Sequence, residues 1–427
     1  MTALVDPAGW LLIVGTIVLV VRWRVFAAER WIRAIVLAAV LLRTAYSVAN
    51  VAVGPIFGLG RDAQAFHLEA VGFAQGRGVS VGLVNGWVYS AFVGVLYRAT
   101  KGGLLLGQQL SILAVVFSAA AVLRVLSALR VPAGRAKWVL AILLFLPAGV
   151  VYTSGTLREA FQQLLFLLTV EFALKTIDRP TVKVICCMGA AALVGGSLHG
   201  AVAVAGAAVA FGSILIAGAV RAPEGVRQSA AMRRLLPIVL IGLVVAGASV
   251  PSVIFPYKVG GGTLSAAARY RSGTPPARAD YLRLRPGEGV GLSDLPVVFG
   301  LYEIAPLPWN VENGADAVAS VEAAVRVVLI LLALLALVHT GRRNYTGLLK
   351  ALLLAGGWLT IELAWSLGTT NWGTGARHHI VGFPLLLILC ALGPAGISRR
   401  RPIGPDGERL TDDASGRTPV HLVGNGM

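Results

Sequence analysis

Residues 371–384 read NWGTGARHHIVGFP, placing Arg377, His378 and His379 at the lip of an apolar run. A guanidinium is a planar fork of donors matched to phosphate oxygens. Gly373 and Gly375 permit a tight turn, and a helix starting near His379 would add its free N–H groups to one anion site. The same residues also suit a helix end snorkelling to lipid headgroups. A second stretch, GLGRDAQAFHLEAVGFAQGRG (58–78), sets Asp62, Phe66, Glu69 and Phe73 at helical spacing, with both carboxylates on one face. A carboxylate there is suited to general-base work, taking a proton from an acceptor hydroxyl. A solvated helix face with Asp62 near its N-cap fits the spacing equally.

In YTSGTLREAF (152–161), Thr156 and Glu159 have the spacing of a capping box, with Ser154 as the other capping residue. Arg158 is harder to place, because a cation in the first turn opposes the helix dipole unless an anion joins it. His199, in GGSLHGAV, reads either as a satisfied core histidine or as a ligand. Arg43 falls inside an apolar run, where an unpaired charge costs several kcal/mol, so it is a functional candidate with Glu171 or Glu362 as partner. Arg269 and Arg271 belong to the polar, Pro- and Gly-rich stretch RYRSGTPPARADYLRLRPGEG.

These residues sit in a chain built for a bilayer. Of 427 residues, 56% are hydrophobic and 13% charged, against about 25% charged in soluble domains. The formal charge of +17 invites a nucleic-acid reading. Yet the basic residues come in short clusters between apolar runs, as in cytoplasmic loops. Cys186, Cys187 and Cys390 all lie in apolar runs, which argues against a disulfide framework or zinc knuckle and for small core residues. No basic n-region precedes the first apolar run, which points to an uncleaved first helix with its N-terminus outside.

The expected fold is an all-α polytopic membrane protein with about eleven spans, each of roughly 17–25 residues or slightly fewer. They fall near 8–22, 34–53, 103–123, 138–154, 159–175, 182–198, 200–220, 235–254, 323–340, 348–367 and 379–396. Leaving 86–98 on the surface gathers most basic clusters on one side: Arg22–Arg33, Arg124–Lys137, Lys175–Lys183, Arg221–Arg234, Arg342–Lys350 and Arg399–Arg417. That choice sets the C-terminus inside. It yields a transmembrane domain over 1–398, long outer loops at 54–102 and 255–322, and a disordered cytoplasmic tail over 399–427. Asp62, Glu69, Arg158, Glu159, His199, Arg269, Arg271, Arg377 and His378 then share the outer face.

Order and location of RDAQAF, SGTLREAF and NWGTGARHHIVGFP resemble the GT-C superfamily of membrane glycosyltransferases, in particular its bacterial polysaccharide-assembly members. The resemblance implies a first outer loop with interfacial helices, and transfer of a sugar, with inversion, from a polyprenyl-phosphate donor at the outer face of the plasma membrane. It makes Asp62 the catalytic base and Arg377, with His378 or Arg158, the holder of the donor phosphate. Glu69, Glu159, His199, Arg269 and Arg271 complete the expected substrate-binding set. The chain departs from the pattern in that Asp62 stands alone until Glu69, and one span precedes the acidic loop. No metal-ligand spacing is present and no cofactor is expected, although a divalent metal stays open. Partners would be the lipid-linked sugar, a glycan, lipid or protein acceptor, and membrane lipid, but not nucleic acid. A transporter or flippase of a lipid-linked or anionic solute, and a polysaccharide polymerase, are the alternatives.

Overall fold

Apolar runs punctuated by short polar breaks fold into α-helices throughout the described residues, which contain no strand. The computed structural model describes residues 5–27, 29–54, 60–77, 87–221, 295–342, 345–369 and 372–393. The expected span 235–254, Arg269 and Arg271, and the tail from Arg399 lie outside the described residues.

Among the described residues seven helices are long and apolar enough to cross a membrane: α3 (Arg30–Val53), α6 (Leu104–Ala128), α9 (Glu159–Asp178), α11 (Gly200–Arg221), α13 (Gly314–Gly341), α14 (Tyr345–Gly368) and α15 (Trp372–Ala391). An eighth forms if α7 (Ala133–Phe145) and α8 (Pro147–Thr153), bent by 58°, count as one broken span. The protein is therefore an all-helical polytopic membrane protein. Helices α1 (Pro7–Arg22), α10 (Val182–Leu198) and α12 (Leu295–Ile304) are apolar but shorter; α2 (Arg24–Ala27) is a single turn.

Helices α4 (Gly60–Ala74) and α5 (Trp87–Thr100) form a hairpin of their own. Ala63, Phe66 and Ala70 bury against Tyr89, Val93 and Tyr97, with Phe66 edge-on to Tyr89 at 5.5 Å. The helices touch because Gly94 has no side chain: a Cβ there would lie 2.7 Å from the Ala70 carbonyl. At 1.5 Å per residue the 14 residues of α5 reach roughly 21 Å, short of the ~30 Å hydrocarbon core.

Inside a bilayer, packing and backbone satisfaction hold helices together more than the hydrophobic effect does. The α7–α8 break shows this. In a continuous helix the Ala148 N–H would bond the Leu144 carbonyl; here Leu146 is extended at ψ 125° and Pro147 starts the new helix. The Ala148 N–H instead donates to Glu322 Oε1 at 2.7 Å, and the Leu144 carbonyl accepts from Arg43 Nη1 at 2.7 Å. Arg43 Nε also donates to Thr153 Oγ1 at 2.9 Å. Arg43 is thus bound by neutral oxygens of the broken span. Neither carboxylate proposed from the sequence is its partner, since Glu171 binds Arg124 and Lys175, and Glu362 binds His379.

A second backbone defect lies in α15. Pro384 has no N–H for the Ile380 carbonyl, and Gln163 Nε2 from α9 donates there instead, at 2.9 Å. Gln163→Leu would leave that buried carbonyl bare and should lower stability by about 1–3 kcal/mol. Thermal unfolding in detergent would register it as a lower midpoint; an unchanged midpoint would mean the contact contributes nothing.

The bundle has two chemically different ends. At one, cations meet helix C-termini and acids: Arg135 donates to the Ala391 and Gly393 carbonyls, Arg221 to Ile177, and Lys350 pairs with Asp178. That arrangement complements the negative end of each helix dipole. The other end holds the starts of α9, α11 and α15. Cys186 is exposed on α10 while Cys187 and Cys390 are half-buried. The expectation of three core cysteines therefore fails for Cys186, because its helix turns that face outward.

Candidate functional site

Arg377 is the centre of the second end. Its Nη1 donates to Asp62 Oδ2 on α4, and its Nε lies 3.0 Å from Glu159 Oε1 on α9. The Nε approach is off the hydrogen-bond axis, so it is an ion pair, and Glu159 Oε2 has no hydrogen-bond partner among the described residues. Residues 62, 159 and 377 thus converge from three remote parts of the chain. The two carboxylates differ sharply: the Asp62 side chain is 60% exposed, that of Glu159 1%.

Local structure explains each position and corrects two expectations. Helix α9 begins at Glu159 with Arg158 as its N-cap, and no side chain caps it. The capping box therefore does not form: Glu159 stands one position after the cap rather than three, and its carboxylate goes to Arg377. Helix α15 begins at Trp372, not near His379. Trp372 Nε1 donates to buried Asp316 Oδ1 at 3.0 Å, which fixes the earlier start. Gly373 and Gly375 are then helical residues, Arg377 lies in the second turn, and the helix's first free N–H groups are not beside His379.

Arg158 resolves its conflict with the dipole by turning away. Its Nη1 donates to the Leu198 carbonyl at 3.0 Å, at the C-terminus of α10, and its guanidinium lies 5.6 Å from the centre of the Phe66 ring. Burial pulls its pKa below the ordinary arginine value and neighbouring Glu159 opposes that shift. His199 joins α10 to α11: its Nδ1 accepts from the Ala201 N–H at 3.1 Å, which places the ring proton on Nε2. Its ring lies 6.1 Å from His378 and 5.7 Å from Trp365.

His378 stacks on Trp365 at 5.2 Å with 13° between planes. The Thr369 hydroxyl donates to the Trp365 carbonyl at 2.8 Å, so its oxygen accepts from His378 Nδ1 at 2.9 Å. His378 Nε2 then carries a lone pair. The buried Trp365 Nε1 has no hydrogen-bond partner among the described residues.

Asp62, Glu159 and Arg377 therefore form one contact group, with Arg158, His199 and His378 flanking it. Glu69 does not join: its Oε2 accepts from Ser90 Oγ at 3.0 Å inside the α4–α5 hairpin. Arg43 belongs to the α7–α8 break. Sequence reading overlooked Trp365, Thr369 and Tyr152, whose hydroxyl donates to the Gly373 carbonyl at 3.3 Å. An aromatic or hydroxyl residue in an apolar run carries no spacing signal that separates it from ordinary packing.

Electrostatically the group balances, with two guanidiniums against two carboxylates. Exposed Asp62 is open to the surroundings while Arg377, 14% exposed, is mostly enclosed. Among the described residues the one set of donors that could hold a metal is elsewhere, at Glu303, Glu362 and His379. No protein-family model, curated protein or solved structure matches the chain.

Proposed function

We propose that the protein is a membrane glycosyltransferase that moves a sugar from a polyprenyl-phosphate donor to an acceptor hydroxyl at the outer face of the plasma membrane. The observation that carries this reading is the Asp62–Arg377–Glu159 group, which joins an exposed carboxylate to an enclosed guanidinium. The GT-C resemblance of the sequence gives the donor class. The eleven spans expected from the sequence, with the N-terminus outside and the C-terminus inside, would set this group on the outer side. The cation-rich opposite end agrees with that orientation.

In this reading the donor phosphate enters at headgroup level and takes Arg377 from Asp62. Freed from Arg377, the Asp62 carboxylate accepts the acceptor's proton as the hydroxyl attacks the anomeric carbon from the face opposite the phosphate. Arg377 stabilises the charge growing on the departing phosphate. Buried Glu159 holds the guanidinium in position throughout. Trp365 Nε1 and His378 Nε2 offer a donor and an acceptor for the sugar or the phosphate.

Purified protein given a labelled polyprenyl-phosphate sugar and a mixed glycan and glycolipid acceptor pool should form labelled product with the anomeric configuration inverted. In sealed vesicles, movement of the donor across the bilayer with no product would support the flippase reading instead. A product in which donor and acceptor are both lipid-linked glycans would identify the polymerase form of the same chemistry.

A further inference from the structure

Glu303 on α12, Glu362 on α14 and His379 on α15 each bring one ligand atom to a place where all three lie within 4.8 Å of one another. The residues are 3%, 1% and 4% exposed. Successive residues are about 100° apart on a helix, so His379 faces roughly 200° away from Arg377 and this cluster is separate from the site above.

Three features of the cluster point to a ligand. His379 Nε2 lies 3.2 Å from the Tyr302 carbonyl, which can only accept, so the ring proton is on Nε2. Nδ1 then turns its lone pair towards Glu362 Oε2 at 2.8 Å, with an atom of positive charge required between or beside them. A backbone carbonyl on the far nitrogen is the usual support of a metal-binding histidine. Second, neither Glu303 carboxylate oxygen has a hydrogen-bond partner among the described residues. Arg326 Nε lies 3.2 Å from Oε2 as an ion pair but donates to the Glu303 backbone carbonyl, at 3.0 Å. Third, Gly382, one turn beyond His379, leaves the space that Glu362 fills: a Cβ there would lie 1.9 Å from Oε1.

Among the described residues Arg326 compensates one of the two carboxylates, and the other is left to be neutralised in a buried place, which is costly. A proton between Nδ1 and Oε2 would satisfy that pair alone and leave Glu303 bare. A cation at the common centre satisfies all three.

We propose that Glu303, Glu362 and His379 bind a divalent transition-metal ion of the zinc class. Mixed imidazole and carboxylate donors suit zinc over magnesium or calcium, which prefer all-oxygen shells. Three protein ligands leave a fourth position open. The site stands whether or not the outer group transfers sugar.

Metal-depleted full-length protein in detergent is titrated with Co2+ and followed by visible absorption. The expected result is one equivalent bound, with the intense bands of four-coordinate cobalt, displaced by one equivalent of Zn2+. Glu362→Gln and His379→Gln should weaken binding by more than the roughly 10–100-fold that loss of a supporting partner costs. Gly382→Ala, which keeps all three ligands, should weaken it as well. The wild-type titration needs no variant, so misfolding cannot mask the answer. A featureless titration means that the cluster holds only a proton and overturns the proposal. Weak six-coordinate bands that persist in the variants mean surface binding and overturn it too.

Discussion

Arg377→Gln should cost sugar transfer about 100–1000-fold, the scale seen when one preorganised stabiliser of a leaving charge is removed. It should also lower stability. Glu159 is 1% exposed and forms its ion pair with Arg377, and breaking a buried pair from one side costs about 3–5 kcal/mol. The figure belongs at the lower end, because Arg377 keeps some solvent contact. The two effects separate in the double variant Arg377→Gln/Glu159→Gln. Removing both charges should restore most of the unfolding midpoint while leaving transfer as low as in the single variant. Recovery of transfer together with stability would reduce Arg377 to a structural residue. Arg377→Lys retains charge but loses the fork, so it should hold Glu159 and still transfer poorly.

Asp62→Asn should have the opposite profile, with stability nearly unchanged and transfer nearly lost. Asp62 is mostly exposed, and an exposed ion pair contributes only ~0–1 kcal/mol. A positioned general base contributes about 100–10,000-fold, and an amide cannot take a proton from the acceptor. The unfolding midpoint and the rate of product formation, measured on the same preparation, separate the two effects. A variant that transfers at the wild-type rate removes Asp62 from the chemistry.

Much of this arrangement was legible in the sequence. Composition and apolar run length identified a helical membrane protein. The short run 86–98 forms the 14-residue α5, which packs on α4 and falls short of the hydrocarbon thickness. Asp62, Glu159 and Arg377 were nameable because charged groups at the edges of apolar runs are costly without a purpose. Their mutual contact was not readable, since nothing local in RDAQAF, SGTLREAF or NWGTGARHH encodes a meeting across hundreds of residues. Helix starts were misread for a related reason. Tertiary contacts from Asp316 to Trp372 and from Glu159 to Arg377 set those starts, overriding the Thr156–Glu159 and Gly373–Gly375 patterns. Arg43 carried the strongest sequence alarm and proved to hold a broken span, because the Leu144 carbonyl, left bare where the Ala148 N–H turns to Glu322, needs a donor as much as a substrate would. The Glu303, Glu362 and His379 cluster escaped notice because its members come from three separate helices with no ligand spacing.

The exchange of Asp62 for a donor phosphate at Arg377 is tested most directly by the affinity of polyprenyl phosphate for the wild type, Asp62→Asn and Arg377→Gln in one detergent. Loss of the competing carboxylate should make Asp62→Asn bind more tightly than the wild type. Loss of the guanidinium should weaken Arg377→Gln by at least about 10-fold, the equivalent of 1.4 kcal/mol and within the range of one charged hydrogen bond. Wild-type affinity in Arg377→Gln would mean that the phosphate is held elsewhere.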